Sequence, residues 1–385
     1  MRLATPRHFV ARLLTLAIAA SLLTACATAP GPASPAEPPA PRVTLAPDAK
    51  WQKLDTVAYR GKQDDIVFIN PNLGWYVNGA GKIYKTTDGG KTWVEKLSKP
   101  GTFFRTIGFV DEKLGFAGNI GTDYFPGVTD TTPLYQTLDG GETWTVVGGI
   151  DGPVVKGLCA IDVIHTQFIN SGVMDKRTVI HAGGRVGGPA FLMRSLDGGK
   201  TWKSQDLSAH TKMILDVKFF NENEGFVMGA SDADTAKSNA IIIATKDGGA
   251  TWKRVYQSTR PFELTWKASF PTRKTGYVTL QNYNPDKTAS QRFVAKTTDG
   301  GETWKEVPLV NEHNVRQFGV GFADELTGWV GTTNGGYETR DGGASWTYVD
   351  MGRAVNKVRI VPAAGSKMGF VAYAIGVDVR KFSSP

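Results

Sequence analysis

Sulfur and imidazole are scarce in this sequence of 385 residues, and the scarcity excludes chemistry. There are two cysteines, Cys26 and Cys159, and five histidines. Two cysteines cannot build a disulfide framework. No two histidines fall at metal-ligand spacing, so neither a metal nor a cofactor is expected. No Gly-x-Ser-x-Gly turn presents a serine nucleophile. The run Gly183-Gly184-Arg185-Val186-Gly187-Gly188 has the glycine content of a phosphate loop but lacks the Lys-Ser/Thr that should follow, and it reads as a loop between strands. Stretches with a helical period are few, glycine is frequent at 45 and aromatics make up 10%. Together these point to an all-β body.

The N-terminal end has a different character. Arg2, Arg7 and Arg12 precede an apolar stretch from Leu13 to Leu23, too short for a membrane span of about 20 apolar residues. It closes on Leu23-Thr24-Ala25-Cys26, which resembles a bacterial lipobox, with Cys26 the residue that would be acylated. Residues 1–25 are therefore expected to be a lipoprotein signal peptide and 26–50 the lipidated cysteine with an Ala/Pro-rich tether. Such a segment stays extended and packs little. More than one acyl chain gives stable membrane anchoring. Ala27 after the cysteine favours, by resemblance to enterobacterial sorting, the periplasmic face of an outer membrane. Acylation of Cys26 would leave Cys159 unpaired; its apolar surroundings, Gly157-Leu158-Cys159-Ala160-Ile161, predict a buried, inert thiol. The net charge of +8 falls to +5 without residues 1–25, which hold three arginines and no acid. For an exported protein that mild excess suits anionic envelope surfaces and not nucleic acid.

The body, 51–385, is organised by one phrase repeated six times. It first reads Thr86-Thr87-Asp88-Gly89-Gly90-Lys91-Thr92-Trp93. It returns at Asp139 to Trp144, Asp197 to Trp202, Asp247 to Trp252, Asp299 to Trp304 and Asp341 to Trp346, successive aspartates being spaced by 51, 58, 50, 52 and 42 positions. Periods of this size indicate propellers or solenoids. Asp-Gly is a hairpin turn because glycine takes positive φ without a Cβ clash. The carboxylate accepts backbone N–H bonds across the turn, and the tryptophan is expected to bury its ring between neighbouring sheets. Six equivalent copies argue for masonry over catalysis, since an active site needs one constellation. The phrase resembles the Asp-box, or BNR repeat.

Upstream of the repeats a strand ending in an aromatic is followed by a short turn and a Gly-aromatic pair: Phe68 with Gly74-Trp75, Phe109 with Gly115-Phe116, Phe219 with Gly225-Phe226, Phe270 with Gly276-Tyr277 and Phe322 with Gly328-Trp329. Each unit thus reads as four strands, a to d, with the Asp-box on the c–d hairpin: one propeller blade. The third unit lacks the Gly-aromatic pair and shows an apparent insertion from His165 to Lys176. A seventh blade is expected from three strands after the last box, with Gly369-Phe370 as its strand-b signature, closed by an orphan strand at Trp51-Gln52-Lys53-Leu54. Closure removes exposed edges.

The joint pattern resembles the photosystem II stability/assembly factor family and its relatives in non-photosynthetic bacteria. That resemblance implies a seven-bladed β-propeller, expected to be monomeric, that acts as a non-catalytic assembly factor and engages membrane-protein partners through a basic, arginine-bearing patch. Here the partner would be an envelope or membrane protein. The rival on the same repeat is a carbohydrate-active protein. Sialidases show an Arg-Ile-Pro motif ahead of the first box, absent here, and xyloglucanases need two propellers. A carboxylate pair could still sit among Asp123, Asp130, Asp232, Asp234 and Asp286.

Topology places the candidate site. The b–c and d–a loops lie on the face opposite the Asp-boxes. The long b–c loops carry Asp123, Tyr124, Phe125, Asp232, Asp234, Tyr283 and Asp286 as candidate rim residues. The d–a loops carry Arg60, Lys62, Arg105, Lys156, Lys212 and Arg316 near the starts of the inner strands, where they would converge into a positive mouth able to bind carboxylates.

Overall fold

The computed structural model describes residues 42–385, apart from 58, 60, 171–172, 364–368 and 384–385, and leaves the side chains of 168–175 undescribed. Cys26, the signal peptide, most of the tether and Arg60 lie outside the described residues. Within them the chain forms seven antiparallel sheets, one per expected blade. Their inner strands are Gln63–Phe68, Phe104–Phe109, Ala160–Asn170, Met213–Phe219, Glu263–Ser269, Gln317–Phe322 and Lys357–Pro362. The ring closes as the sequence indicates: Gln52–Lys53 pairs antiparallel with Val379–Ser383, the outermost C-terminal strand of blade 7. Blade 3 gains a fifth strand, Ile150–Asp151, parallel to Trp202–Asp206.

The Gly-aromatic pair has two separate steric jobs. A Cβ on Gly74, Gly115, Gly225, Gly276 or Gly328 would stand 2.2–2.5 Å from the ring of its own blade's inner-strand phenylalanine. Only glycine leaves room for that ring. The aromatic that follows stacks on the inner-strand phenylalanine of the next blade. Trp75 lies 3.5 Å from Phe109, Tyr277 3.5 Å from Phe322, and Phe226 5.4 Å from Phe270, all nearly coplanar. Stacked pairs of this kind add about 0.5–1.5 kcal/mol beyond the area they bury.

Blades 3 and 7 depart from this pattern. Blade 3 has no Gly-aromatic pair, but His181 occupies the ring position, stacked on Phe219 at 3.5 Å. In blade 7 the stacked ring is Tyr373 on Phe68, not Phe370, which packs beside Trp329 and Phe382 instead. The inner strand of blade 7 ends in Val361-Pro362, so Trp329 of blade 6 has no phenylalanine there to stack on. The apparent insertion at 165–176 is continuous ladder: Ala160–Asn170 pairs with Val173–Gly183 from Ala160↔Gly183 to Asn170↔Val173. Its β-branched and aromatic content sustains the strands beyond the length of the other blades.

All six Asp-boxes share one hydrogen-bond set. In the first, Asp88 accepts the Thr92 amide at 2.9 Å, the Thr92 hydroxyl at 2.6 Å and the Thr86 hydroxyl at 2.8 Å. The Thr86 hydroxyl in turn accepts the Gly90 amide at 2.9 Å. Gly89 and Gly90 have φ of 72° and 89°. With their oxygens so occupied these aspartates are structural. The hydroxyl and amide donors hold Asp139, Asp247 and Asp299 down to about 2. The box tryptophans are less buried than expected: Trp202 is 2% exposed, whereas the other five are half-buried. Four of those five, at Trp144, Trp252, Trp304 and Trp346, touch the inner-strand phenylalanine of their own blade edge-on, and Trp93 does the same on Phe68. They cap the outside of the stacked pairs and do not fill the gap between sheets.

The end of the segment assigned to the tether belongs to the body. Val43, Leu45 and Ala49 pack on the cluster of Trp51, Trp329 and Phe382, and the Val43 amide donates to Asp324 at 2.6 Å.

Candidate binding site at the channel mouth

Seven inner strands surround the axis of the disc, and any charge on them can only be tolerated toward that axis, where partners converge. On the face opposite the Asp-boxes the strand starts bring Lys62, Asp64, Arg105, Trp266, Phe318 and Asn356 together. Arg105 and Asp64, 4% and 0% exposed, form a buried ion pair. Lys62 lies 3.7 Å from Asp64 and donates to Asn356 at 3.0 Å. Trp266, from blade 5, donates its indole N–H to the same Asn356 oxygen at 3.1 Å and takes Lys62 and Arg105 over its ring at 5.7 and 5.3 Å. Lys62 belongs to blade 1, so this contact spans the axis.

The expected positive mouth is therefore only partly realised. Lys62 and Arg105 converge, yet they are paired with Asp64 and lie over the Trp266 ring. Burial first, and then neighbouring Arg105, pushes Lys62 down to about 7. Lys156 and Lys212 are exposed, and Lys212 donates to the Ser208 carbonyl at 2.7 Å, outside this cluster. Arg316 is exposed, and its guanidinium lies 4.1 Å over the Tyr283 ring. Among the described contacts it has no carboxylate partner.

The rim residues divide in the same way. Tyr124 is 43% exposed and packs edge-on against Phe125, which meets Phe103 at 4.6 Å. Phe125 and Tyr283 rest on an apolar floor that includes Cys159, Leu264 and Trp266. Cys159 is buried, as its neighbours indicated. Asp123 lies 3.9 Å from Arg185. Asp232 accepts the Asp234 amide, Asp234 lies 3.6 Å from Lys237, and Asp286 accepts the Thr288 amide and hydroxyl. Asp130 is pinned by the hydroxyls of Thr102 and Tyr135 at 2.5 and 2.6 Å. Each carboxylate is thus engaged within its own loop or with its immediate support.

Deeper along the axis lies a layer that sequence reasoning missed. Lys267 is 3.6 Å from Asp216 and donates to the Leu215 carbonyl at 2.6 Å. Lys357 is 3.7 Å from Asp65 and 3.6 Å from Asp216, and Arg359 donates to Asp65 at 3.1 Å. Burial alone would raise Asp65, but Lys357, Arg359 and Lys267 hold it at about 2. Burial depresses Lys267 to about 8 despite Asp216. The available signal was charge inside otherwise apolar strands, as in Gln63-Asp64-Asp65-Ile66 and Lys357-Val358-Arg359-Ile360. Several of these groups also stitch blades together. Asp65 accepts the Ile107 amide of blade 2, Asp162 that of Phe219 in blade 4, and Asp216 that of Ala268 in blade 5.

Comparison with known proteins places this geometry. A family model described as photosynthesis system II assembly factor YCF48 matches residues 179–262. A photosystem II assembly lipoprotein Ycf48 from Picosynechococcus is 30% identical over 197 residues, 44% of this chain and 56% of that protein. A xyloglucanase from Paenibacillus is 24% identical over 208 residues, 46% of this chain but 18% of the enzyme. The chain spans about half the length of the Ycf48 relatives it matches. Among solved structures, YCF48 bound to a D1 peptide aligns with a TM-score of 0.59 at 16% identity, covering 90% of this chain and 98% of that one. A GH74 enzyme from Niastella koreensis aligns with a TM-score of 0.56 at 17% identity over 82% of this chain and 51% of the enzyme. Both likenesses speak to the shared propeller fold. By repeat and sequence the chain is similar to the Ycf48/HCF136 photosystem II assembly factors, as a distant relative at 24–30% identity over less than half of its length.

Proposed function

We propose that the protein is a non-catalytic, lipid-anchored propeller of the cell envelope that binds an extended, acidic segment of a membrane-protein partner on the face opposite its Asp-boxes. The observation that carries this reading is Arg316: exposed, held flat on Tyr283 at 4.1 Å, with its fork of donors uncommitted. A guanidinium oriented by Tyr283, whose ring rests on the same apolar floor as Phe125, suits a carboxylate flanked by apolar side chains. The likeness to a YCF48 structure that holds a D1 peptide agrees with capture of a polypeptide. Cys26 and the tether would keep the disc within reach of a membrane.

Crosslinking in intact cells followed by affinity purification tests the reading. Arg316→Glu and Tyr283→Ala should each abolish the crosslinked partner, and Arg316→Glu should do so with the circular dichroism spectrum and Tm near those of the parent. Undiminished capture by both variants rejects the assignment. Similarity to xyloglucanases supports one rival, glycan hydrolysis. Xyloglucan and a panel of chromogenic glycosides should show no turnover, and turnover lost on replacing one of the rim aspartates would replace this reading with the enzymatic one.

A further inference from the structure

The axis of the disc has a second end. It opens on the Asp-box face, opposite the cluster of Trp266, Lys62 and Arg105. There the last residues of the inner strands line a cavity of about 380 Å³ that includes Asp162, Asp216, Lys218, Lys357 and Arg359. A second lobe of about 220 Å³ shares Ile161, Asp162, Arg359 and Ile360 with it. The larger lobe is within the size range of small-molecule sites.

Hydrogen-bond accounting shows which ligand chemistry the chamber is short of. Its carboxylates are spoken for. Asp162 accepts the Phe219 amide at 2.7 Å and Lys218 at 3.3 Å. Asp216 accepts the Ala268 amide at 2.9 Å and has Lys267 and Lys357 at 3.6 Å. Its cations are only partly so. The Lys357 side chain is 7% exposed, yet its ammonium makes only the two long ion pairs, at 3.6 and 3.7 Å, and no hydrogen bond among the described contacts. Arg359, whose side chain is 31% exposed, uses Nε on the Ile66 carbonyl and Nη2 on Asp65, and among the described contacts its Nη1 has no protein partner. An ammonium that lines a cavity and makes no hydrogen bond to the described residues is available to an anionic oxygen there. Cations also outnumber the lining carboxylates, three to two.

We propose that this chamber is a binding site for a small ligand bearing two or more anionic oxygens, held by Lys357 and Arg359 with Lys218 at the entrance. It is a site separate from the loop face, and it does not depend on the partner proposed there. A ligand bound here would touch inner strands of several blades and so brace the closed ring.

Isothermal titration of the full chain with citrate, succinate and inorganic phosphate tests it. At least one should bind saturably with one site per chain and raise Tm; the preferred probe separates an organic carboxylate from a phosphate as the source of the oxyanion. Arg359→Gln should weaken that binding about tenfold or more. Since Arg359 also caps the Ile66 carbonyl, Lys218→Gln, at the entrance, serves as the second variant and should weaken binding without loss of fold. Arg316→Glu, on the other face, should leave it unchanged. Failure of all three probes to bind saturably overturns the proposal, as does binding that survives both chamber variants or falls equally with Arg316→Glu.

Discussion

Tyr373 of the last blade lies flat on Phe68 of the first, with ring centroids 3.8 Å apart and planes 9° from parallel. Its hydroxyl donates to the carbonyl of Gly89, in the first Asp-box, at 3.1 Å, and Lys381 donates to the same oxygen at 3.1 Å. The same latch recurs around the ring: Trp75 donates to Gly140 of the next blade, and Tyr277 and Lys296 to Gly342. At the closure it joins chain segments nearly 300 residues apart. Tyr373→Ala should therefore destabilise the fold by about 3–5 kcal/mol, as loss of a buried aromatic does. Tyr373→Phe should cost only about 1 kcal/mol, for the hydroxyl alone. Urea unfolding measures both, and equal effects of the two variants would show that the stack contributes nothing.

The tryptophans of the repeats should not be equivalent. Trp202 is buried between blades against Phe116 at 5.4 Å, so Trp202→Ala should cost about 3–5 kcal/mol. Trp252 is half-buried and meets Phe219 edge-on at 6.4 Å, so Trp252→Ala should cost about half as much. Equal midpoints in denaturant would mean that the sequence repeat, not the local packing, sets the contribution.

His181 fills an aromatic's place with neither ring nitrogen bonded. Burial, and then Arg194 and Lys218, drive its pKa well below 6.5. A histidine whose folded value lies below its unfolded value binds more protons when unfolded, so its contribution is intact above about pH 6.5 and lost as pH falls beneath it. His181→Phe should keep the stack on Phe219 and flatten the stability profile below pH 6.5. A parallel profile in the variant would assign that slope to other groups.

The Asp-box carboxylates predict acid behaviour of their own. Asp139, Asp247 and Asp299 sit at about 2, below their unfolded value, so their contribution is present above about pH 4 and lost as pH drops through 2. Asp247→Asn should shift the acid-unfolding midpoint upward in a circular dichroism titration. An unshifted midpoint would mean that the hydroxyl and amide bonds to Asp247 do not need its charge.

Partner capture on the loop face should weaken as pH rises from about 6.5 to 8.5. Lys62 and Lys267, at about 7 and about 8, lose their charge in that window, and the field of the channel mouth becomes less positive. Because both values lie below those of an exposed lysine, the fold itself gains over the same window as the buried charges are relieved. A binding titration against pH that stays level, with Arg316 intact, would remove the channel lysines from recognition.

The architecture was legible because it is local and repeated. Asp-Gly-Gly-x-Thr/Ser-Trp specifies a hairpin through the positive φ of its glycines and the carboxylate that bridges it, and neither needs a distant residue. Six copies with their upstream strands fix four strands per blade, and the orphan Trp51 segment fixes closure. The sequence also showed the Gly-aromatic pairs, though not that the glycine yields to one ring while the aromatic stacks on another. Only the tertiary structure decided what the charged inner strands do. Whether Lys62 and Arg105 face solvent or Trp266 depends on residues from blades 1, 2 and 5 meeting across an axis, a contact with no local signature. The same holds for His181 standing in for an aromatic, and for Lys357 facing a cavity walled by other blades. Short-range turn chemistry belongs to the sequence; the placement of charge in a low-dielectric interior belongs to the closed ring.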